Sequence, residues 1–271
     1  MAGGFLLLSQ PWIVNLADRE GNFIIITKRD IMNYRLLCNM SVRERQKMER
    51  TEFENSLRDP LGWMKKDKED VAQLLGTETA AMVDYDQRNP HHCYTLFEHA
   101  LRTVEGLPKG CPALLRTAAF FHDIGKPLSA KEKNGRLVFY GHAAKSAEIA
   151  EPILKYLGYT ADEVSRILFF ISRHDDFIAW SLPEEDVKWA GSILVSKRNV
   201  KEYAEKAIWE NSTVFSCVPE LTIWESLLDL CLADIGAQSG SVYADGVLID
   251  SAEHKAKKIY RIAACFRELY A

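Results

Sequence analysis

The densest chemistry in the chain lies at His122-Asp123, within the run Ala118-Ala119-Phe120-Phe121-His122-Asp123-Ile124-Gly125-Lys126-Pro127. This imidazole and carboxylate follow directly on an apolar helical stretch. Left unpaired in such surroundings, they would carry a large desolvation cost. A divalent cation is the simplest partner, because His nitrogen and Asp oxygen both ligate one. His99 upstream, and His142, His174 and Asp234 downstream, also fall at helical positions. Each has an ordinary reading alone. His99 could be a hydrogen-bonded structural histidine, His142 a helix cap and His174 a core histidine, while Asp234 could pair with an arginine. Jointly, four histidines and two aspartates on, beside or at the ends of amphipathic helices suit a site built between helices. Ligation without cysteine fits one or two ions of Mg, Mn, Fe, Co, Ni or Zn and does not choose among them.

The elements that must position these groups are mostly helices. Leu96, Phe97, Ala100, Leu101 and Val104 form an apolar stripe with His99 beside it. Pro112 opens the helix that runs to His122-Asp123 and stops at Gly125. Asn134-Gly135 reads as a tight turn before the extended run Leu137–Tyr140. His142 then starts a helix ending at Gly158, with a kink expected at Pro152. Thr160-Ala161-Asp162-Glu163 matches a capping box. Val164, Ile167, Leu168 and Ile171 follow at helical spacing and put His174 on the same buried side. Trp224, Leu227, Leu228 and Cys231 make another core stripe, and Asp234 falls two turns after Leu227, so its carboxylate points at the core. A last helix runs from about Ser251 to Leu269.

The N-terminal part has a different character. Trp12–Leu16 and Phe23–Thr27 are β-prone runs whose connection suggests a hairpin with a Gly21-Asn22 turn. Helical patterning starts near Ser41, and Asp59-Pro60 opens a helix that Gly76 closes. The expected organisation is an N-terminal hairpin and helical extension over residues 1–80, then a mainly α-helical domain over residues 81–271.

A chain of 271 residues suits one large domain, or one with an appendage. The net charge of -4 exerts no general pull toward nucleic acid or anionic membrane. Basic stretches such as Arg43–Arg50 alternate with acids and read as solvated helix faces. The cysteines at 38, 93, 111, 217, 231 and 265 form no CxxC and no regular framework. Free thiols in a reducing cytoplasm are the expectation. Phe5–Leu8 is too short for a signal sequence, and no stretch is long and apolar enough to span a bilayer.

The spaced set His99…His122-Asp123…Asp234 resembles the H…HD…D signature of the HD superfamily of metal-dependent phosphohydrolases. Locally, three stretches resemble the HD domain of bacterial CCA-adding tRNA nucleotidyltransferases. They are Asp86-Gln-Arg-Asn-Pro-His-His-Cys-Tyr-Thr-Leu-Phe-Glu-His-Ala-Leu101, His122-Asp-Ile-Gly-Lys-Pro127 and Phe139-Tyr-Gly-His-Ala-Ala-Lys-Ser-Ala-Glu-Ile-Ala150. The likeness covers about residues 84 to 176, with a looser match around Asp234. A nucleotidyltransferase head is missing: no Gly-Gly-x-Val-Arg-Asp stretch occurs, and residues 1–80 are too few to hold that head. The (p)ppGpp hydrolase, HD-GYP diesterase and dNTP triphosphohydrolase branches fit worse. Their continuations after the HD pair, or after a later histidine, do not occur here.

The resemblance implies an HD-type helical bundle that hydrolyses a phosphomonoester or phosphodiester of a small, nucleotide-like substrate through a metal-activated water. It implies that His99, His122, Asp123 and Asp234 hold one ion. His142 and His174 would hold a second, bridged by Asp123, or contact the phosphate. Lys126 would clamp phosphate, against the alternative of a solvated lysine favoured by a helix C-terminus. Asp175 and Asp176 would orient a histidine or simply end the helix, and His91 and His92 rank below the six central residues. His254 reads as a surface residue. Two other readings stand beside the enzyme. One is an inactive HD module that binds RNA, tRNA or nucleotide. The other is a helical protein with a structural metal.

Overall fold

The computed structural model describes residues 14–17, 23–26, 42–183, 191–216 and 218–271. The chain divides into two compact units, Met1–Met48 and Glu49–Ala271. In the first, β1 (Val14–Ala17) pairs antiparallel with β2 (Phe23–Ile26), Val14 opposite Ile26. These are the strands of the expected hairpin; its turn lies outside the described residues.

Helix α1 spans Val42–Ser56. The sequence reads residues 60–76 as one helix, whereas the structure breaks it into a turn at Pro60–Trp63 and α2 at Lys68–Leu75. The break has a local cause. Asp67 is extended, and its side chain accepts the Asp70 amide, so it caps a new helix instead of continuing the old one. Packing also groups residues 49–80 with the helices that follow, although their composition had suggested an N-terminal extension. Phe53 and Trp63 are the reason, since both rings pack on Phe120, and Trp63 also meets Phe97.

The longer helices that follow are α3 (Leu96–Gly106), α4 (Ala113–Phe121), α5 (His142–Tyr156), α6 (Ala161–Arg173), α7 (Lys197–Glu210), α8 (Glu220–Gly236) and α9 (Ala252–Tyr270). Short hairpins intervene: β3 (Lys131–Lys133) with β4 (Arg136–Val138), and β7 (Ser241–Ala244) with β8 (Val247–Ser251). A two-residue parallel pair joins β5 (Trp180–Ser181) to β6 (Ile193–Leu194). Helix α3 packs on α4 and α8, α6 packs on α4 and α5, and α9 lies along α7 and α8. The mainly α-helical domain expected from the sequence is the architecture observed. Pro152 sits inside α5, which continues to Tyr156.

Side-chain chemistry fixes the helix starts. Thr95 Oγ1 accepts the Glu98 amide at the start of α3, and Thr160 with Glu163 forms the expected capping box of α6. Glu163 also takes a two-pronged contact from Arg50, at 2.8 and 3.0 Å, which ties α1 to α6. Two aromatic clusters form the core. Phe53, Trp63, Phe97, Phe120 and Phe121 fill one side, while Trp224 stacks on Phe266 with Phe169, Phe215, Phe177 and Tyr203 around them.

Gly125 is demanded by a close approach. A Cβ there would lie 2.5 Å from Ser146 N and 2.7 Å from His142 O, both backbone atoms of α5. The Gly125 amide also donates to Ser146 Oγ at 2.9 Å. The missing side chain therefore brings the His122-Asp123 turn against the helix that carries His142. Gly125→Ala should destabilise the protein by about 1–3 kcal/mol through overpacking. Gly236→Ala, where a Cβ meets nothing within 4 Å, should be neutral or mildly stabilising. Urea unfolding of both variants checks the contrast, and an unperturbed Gly125→Ala midpoint would refute it.

Candidate metal centre

All six residues singled out from the sequence converge. His99 comes from the first turn of α3, while His122 and Asp123 come from the turn that ends α4. His142 opens α5, His174 closes α6, and Asp234 lies in the last turn of α8. All are buried. They form two groups that share one carboxylate: His99, His122, Asp123 and Asp234, and Asp123, His142 and His174.

The four imidazoles are oriented in the same sense. His99 Nδ1 lies 3.1 Å from Ala237 O and His122 Nδ1 2.7 Å from Ala119 O. His142 Nδ1 lies 2.8 Å from Phe139 O and His174 Nδ1 2.7 Å from Ile171 O. A carbonyl only accepts, so each Nδ1 carries a proton and donates it outward. In the neutral rings, every Nε2 then presents a lone pair inward. His99 Nε2 and His122 Nε2 are 3.2 Å apart, as are His142 Nε2 and His174 Nε2. Neither pair has a proton to share in that state.

Asp123 divides its two oxygens between the groups. Oδ2 lies 3.1 Å from His99 Nε2 and 3.2 Å from His122 Nε2. Oδ1 lies 3.0 Å from His142 Nε2 and 3.6 Å from His174 Nε2. Oδ1 is buried and receives no hydrogen bond. Asp234 Oδ1 completes the first group, 3.1 Å from His99 Nε2. Converging lone pairs and an orphaned carboxylate oxygen ask for positive charge, and the set of nitrogen and oxygen donors fits a divalent cation.

Lys126 is buried and does not reach solvent, which removes the solvated reading. Its ammonium contacts Asp123 Oδ2 at 2.6 Å, Gln87 Oε1 at 2.9 Å and His92 Nε2 at 3.2 Å. Those three partners use all three of its donors. His92 is the neutral acceptor in this set. Burial, with the neighbouring Lys126 and His99 charges, drives its pKa down to about 2.

Asp175 and Asp176 part company. Asp175 Oδ2 lies 3.3 Å from His142 Nε2, and its side chain is 36% exposed, so it stands at the rim of the second group. Asp176 instead pairs with Arg173 and accepts from Tyr203. His91 faces Asp250 and lies outside the cluster, and His254 is exposed. Sequence reasoning singled out neither Gln87 nor Gln238, which donates to both Asp234 oxygens at 3.2 and 3.1 Å. Gln87 carries no spacing signal that would have found it, whereas Gln238 stands four residues after Asp234, one helical turn on. The four cysteines with described side chains are free thiols, and none belongs to the cluster.

Residues 91–205 match the HD domain family, and an HD domain therefore occupies that stretch. HD domains are generally metal-dependent phosphohydrolases. Part of the chain is 39% identical over 121 residues to a CC-adding tRNA nucleotidyltransferase from Thermus thermophilus. The match covers 41% of this chain and 26% of the relative, so the chain spans about a quarter of that protein's length. No solved structure matches. Among the described residues no helix is long and apolar enough to cross a membrane.

Metal uptake should be coupled to proton release. Burial disfavours charge on His99 and His122, but Asp123 and Asp234 override it and push both up to about 9 from an ordinary 6.5. The cation-free site therefore holds protons at neutral pH, and each ring must lose its Nε2 proton before that nitrogen can bind an ion. The apparent metal affinity should rise with pH up to about 9, by up to about tenfold per unit for each proton displaced. Calorimetric titration with Mn(II), in buffers of different ionisation enthalpy, measures the protons released. A pH-independent affinity would refute the coupling.

Proposed function

We propose that the protein is a metal-dependent phosphohydrolase acting on a small, nucleotide-like phosphoester. One observation carries the reading. Inside an HD domain, four imidazoles tied back through Nδ1 aim their Nε2 atoms at a carboxylate whose two oxygens serve different histidine pairs. In this reading His99, His122, Asp123 and Asp234 hold one divalent ion, and Asp123, His142 and His174 hold a second. A divalent ion held there would lower the pKa of a bound water and polarise a phosphoryl oxygen.

The chain's own residues do the rest. Asp123 bridges the two donor groups, and Lys126 holds its Oδ2 in place. With its three donors engaged, Lys126 acts on phosphate through Asp123 and not as a direct clamp. The rim decides where a substrate enters. The side chains of His99, His122, Asp123 and His174 are 0–2% exposed, against 10% for Asp234, 11% for His142 and 36% for Asp175. A phosphoester therefore approaches across Asp175 and His142, where water also has access.

Full-length protein loaded separately with Mn(II), Co(II), Mg(II) or Zn(II) should turn over part of a panel of phosphomonoesters, phosphodiesters and nucleotides. Asp123→Ala removes the carboxylate that both groups share and should lower kcat/KM by about 100- to 1000-fold. Turnover that survives in Asp123→Ala would sink the proposal. So would an inert metal-loaded protein that binds tRNA equally well with and without its His and Asp ligands, since that outcome would identify a binding module.

A further inference from the structure

We infer that Gln238 and Lys255 set the affinity of the centre by orienting Asp234. The inference rests on the reading of Asp234 as a ligand. Gln238 Nε2 donates to Asp234 Oδ1 and Oδ2 at 3.2 and 3.1 Å, and Lys255 Nζ donates to Gln238 Oε1 at 2.9 Å. The amide can face only one way. A carboxylate on one side requires the NH2 end and an ammonium on the other requires the carbonyl, so both neighbours fix the same orientation.

Lys255 is itself anchored. Its ammonium pairs with Asp250 Oδ2 at 2.9 Å, and Asp250 Oδ2 lies 3.2 Å from His91 Nδ1. The backbone around Gln238 is pinned as well, because Ala237 O receives His99 Nδ1–H and Ser239 N donates to His91 O at 2.9 Å. One short turn after α8 therefore orients two candidate ligands, His99 through Ala237 and Asp234 through Gln238. Asp250 and Lys255 come from β8 and α9, beyond the stretch that matches the HD family. The C-terminal hairpin and helix thus act as a positioning element for the centre.

The sign of the effect separates positioning from simple charge. By Coulomb attraction alone, removing the Lys255 cation should strengthen binding of another cation nearby. If Lys255 works by holding Gln238, its loss should weaken binding instead. Titration of the full-length protein with Mn(II) should give a Kd about 10–100-fold weaker for Gln238→Met. Lys255→Met should also bind more weakly, and Lys255→Arg should recover most of the loss. In the Gln238→Met background, Lys255→Met should add no further loss, because its route to the metal is already cut. Melting of the metal-free variants reports on the fold, and Lys255→Met gives an independent test if Gln238→Met does not fold. Wild-type Mn(II) affinity in Gln238→Met or Lys255→Met, with binding abolished in Asp234→Ala, would overturn this inference alone. Wild-type affinity in Asp234→Ala would overturn the ligand reading and this inference with it.

Discussion

Two carboxylates and the lone pairs of four neutral imidazoles packed into one buried cluster repel one another unless positive charge sits among them. The ligand atoms of the two carboxylates lie within 4.8 Å of one another, and at an effective dielectric of about 20 two like unit charges about 4 Å apart repel by about 4 kcal/mol. Lys126 supplies one fixed positive charge against Asp123. Protons supply more when no ion is bound, which is why His99 and His122 are pushed up while Asp123 and Asp234 are held well below the ordinary carboxylate range. For both carboxylates burial acts in the opposite direction and is outweighed by the histidines. A divalent cation answers the same demand with charge fixed in one place.

The rest of the fold keeps those groups from escaping that demand by moving apart. Each histidine is locked by a carbonyl from its own turn or from a neighbouring element, so none can rotate without losing a buried hydrogen bond. The two aromatic clusters hold the helices that present them. Phe120 and Phe121 immediately precede His122 and are buried against Phe53. Trp224 lies on the helix that ends with Asp234 and stacks on Phe266 of α9. Gly125 then lets the HD turn and the start of α5 approach to backbone contact. Apolar packing sets the distances, and electrostatics determines what can occupy them.

The legible part of this arrangement was the part that repeats. Apolar residues at helical spacing placed His174 and Asp234 on buried faces and His99 beside one, and the capping box at Thr160 marked a true helix start. The HD pair announced itself by polarity in an apolar run. One local signal was missed, and the rest of what stayed hidden depends on long-range contact. Asp67 as a second N-cap broke a pattern that read as one helix. Residues 49–80 joined the main unit because Phe53 and Trp63 found Phe120, across a separation that no local pattern reports. Asp175 and Asp176 are adjacent and chemically identical, and only the fold sends one to His142 and the other to Tyr203. Lys255 reaches Gln238 through a hydrogen bond between elements, which leaves no periodic trace.

Lys126 illustrates how burial changes a role that residue type suggests. A lysine beside a phosphate-binding centre reads as a clamp for the anion, and an exposed one would act so. Here the ammonium is shut in with Asp123, Gln87 and His92, and a phosphate would have to displace one of them to gain a donor. Displacing Asp123 would leave its carboxylate without a fixed cation. Displacing Gln87 or His92 would strand a buried acceptor. The stable arrangement keeps Lys126 on Asp123, so that its charge is expressed at the centre of the site through the one carboxylate both donor groups share. On the proposed reading, charge that meets the substrate would come from ions held by the two donor groups that share Asp123.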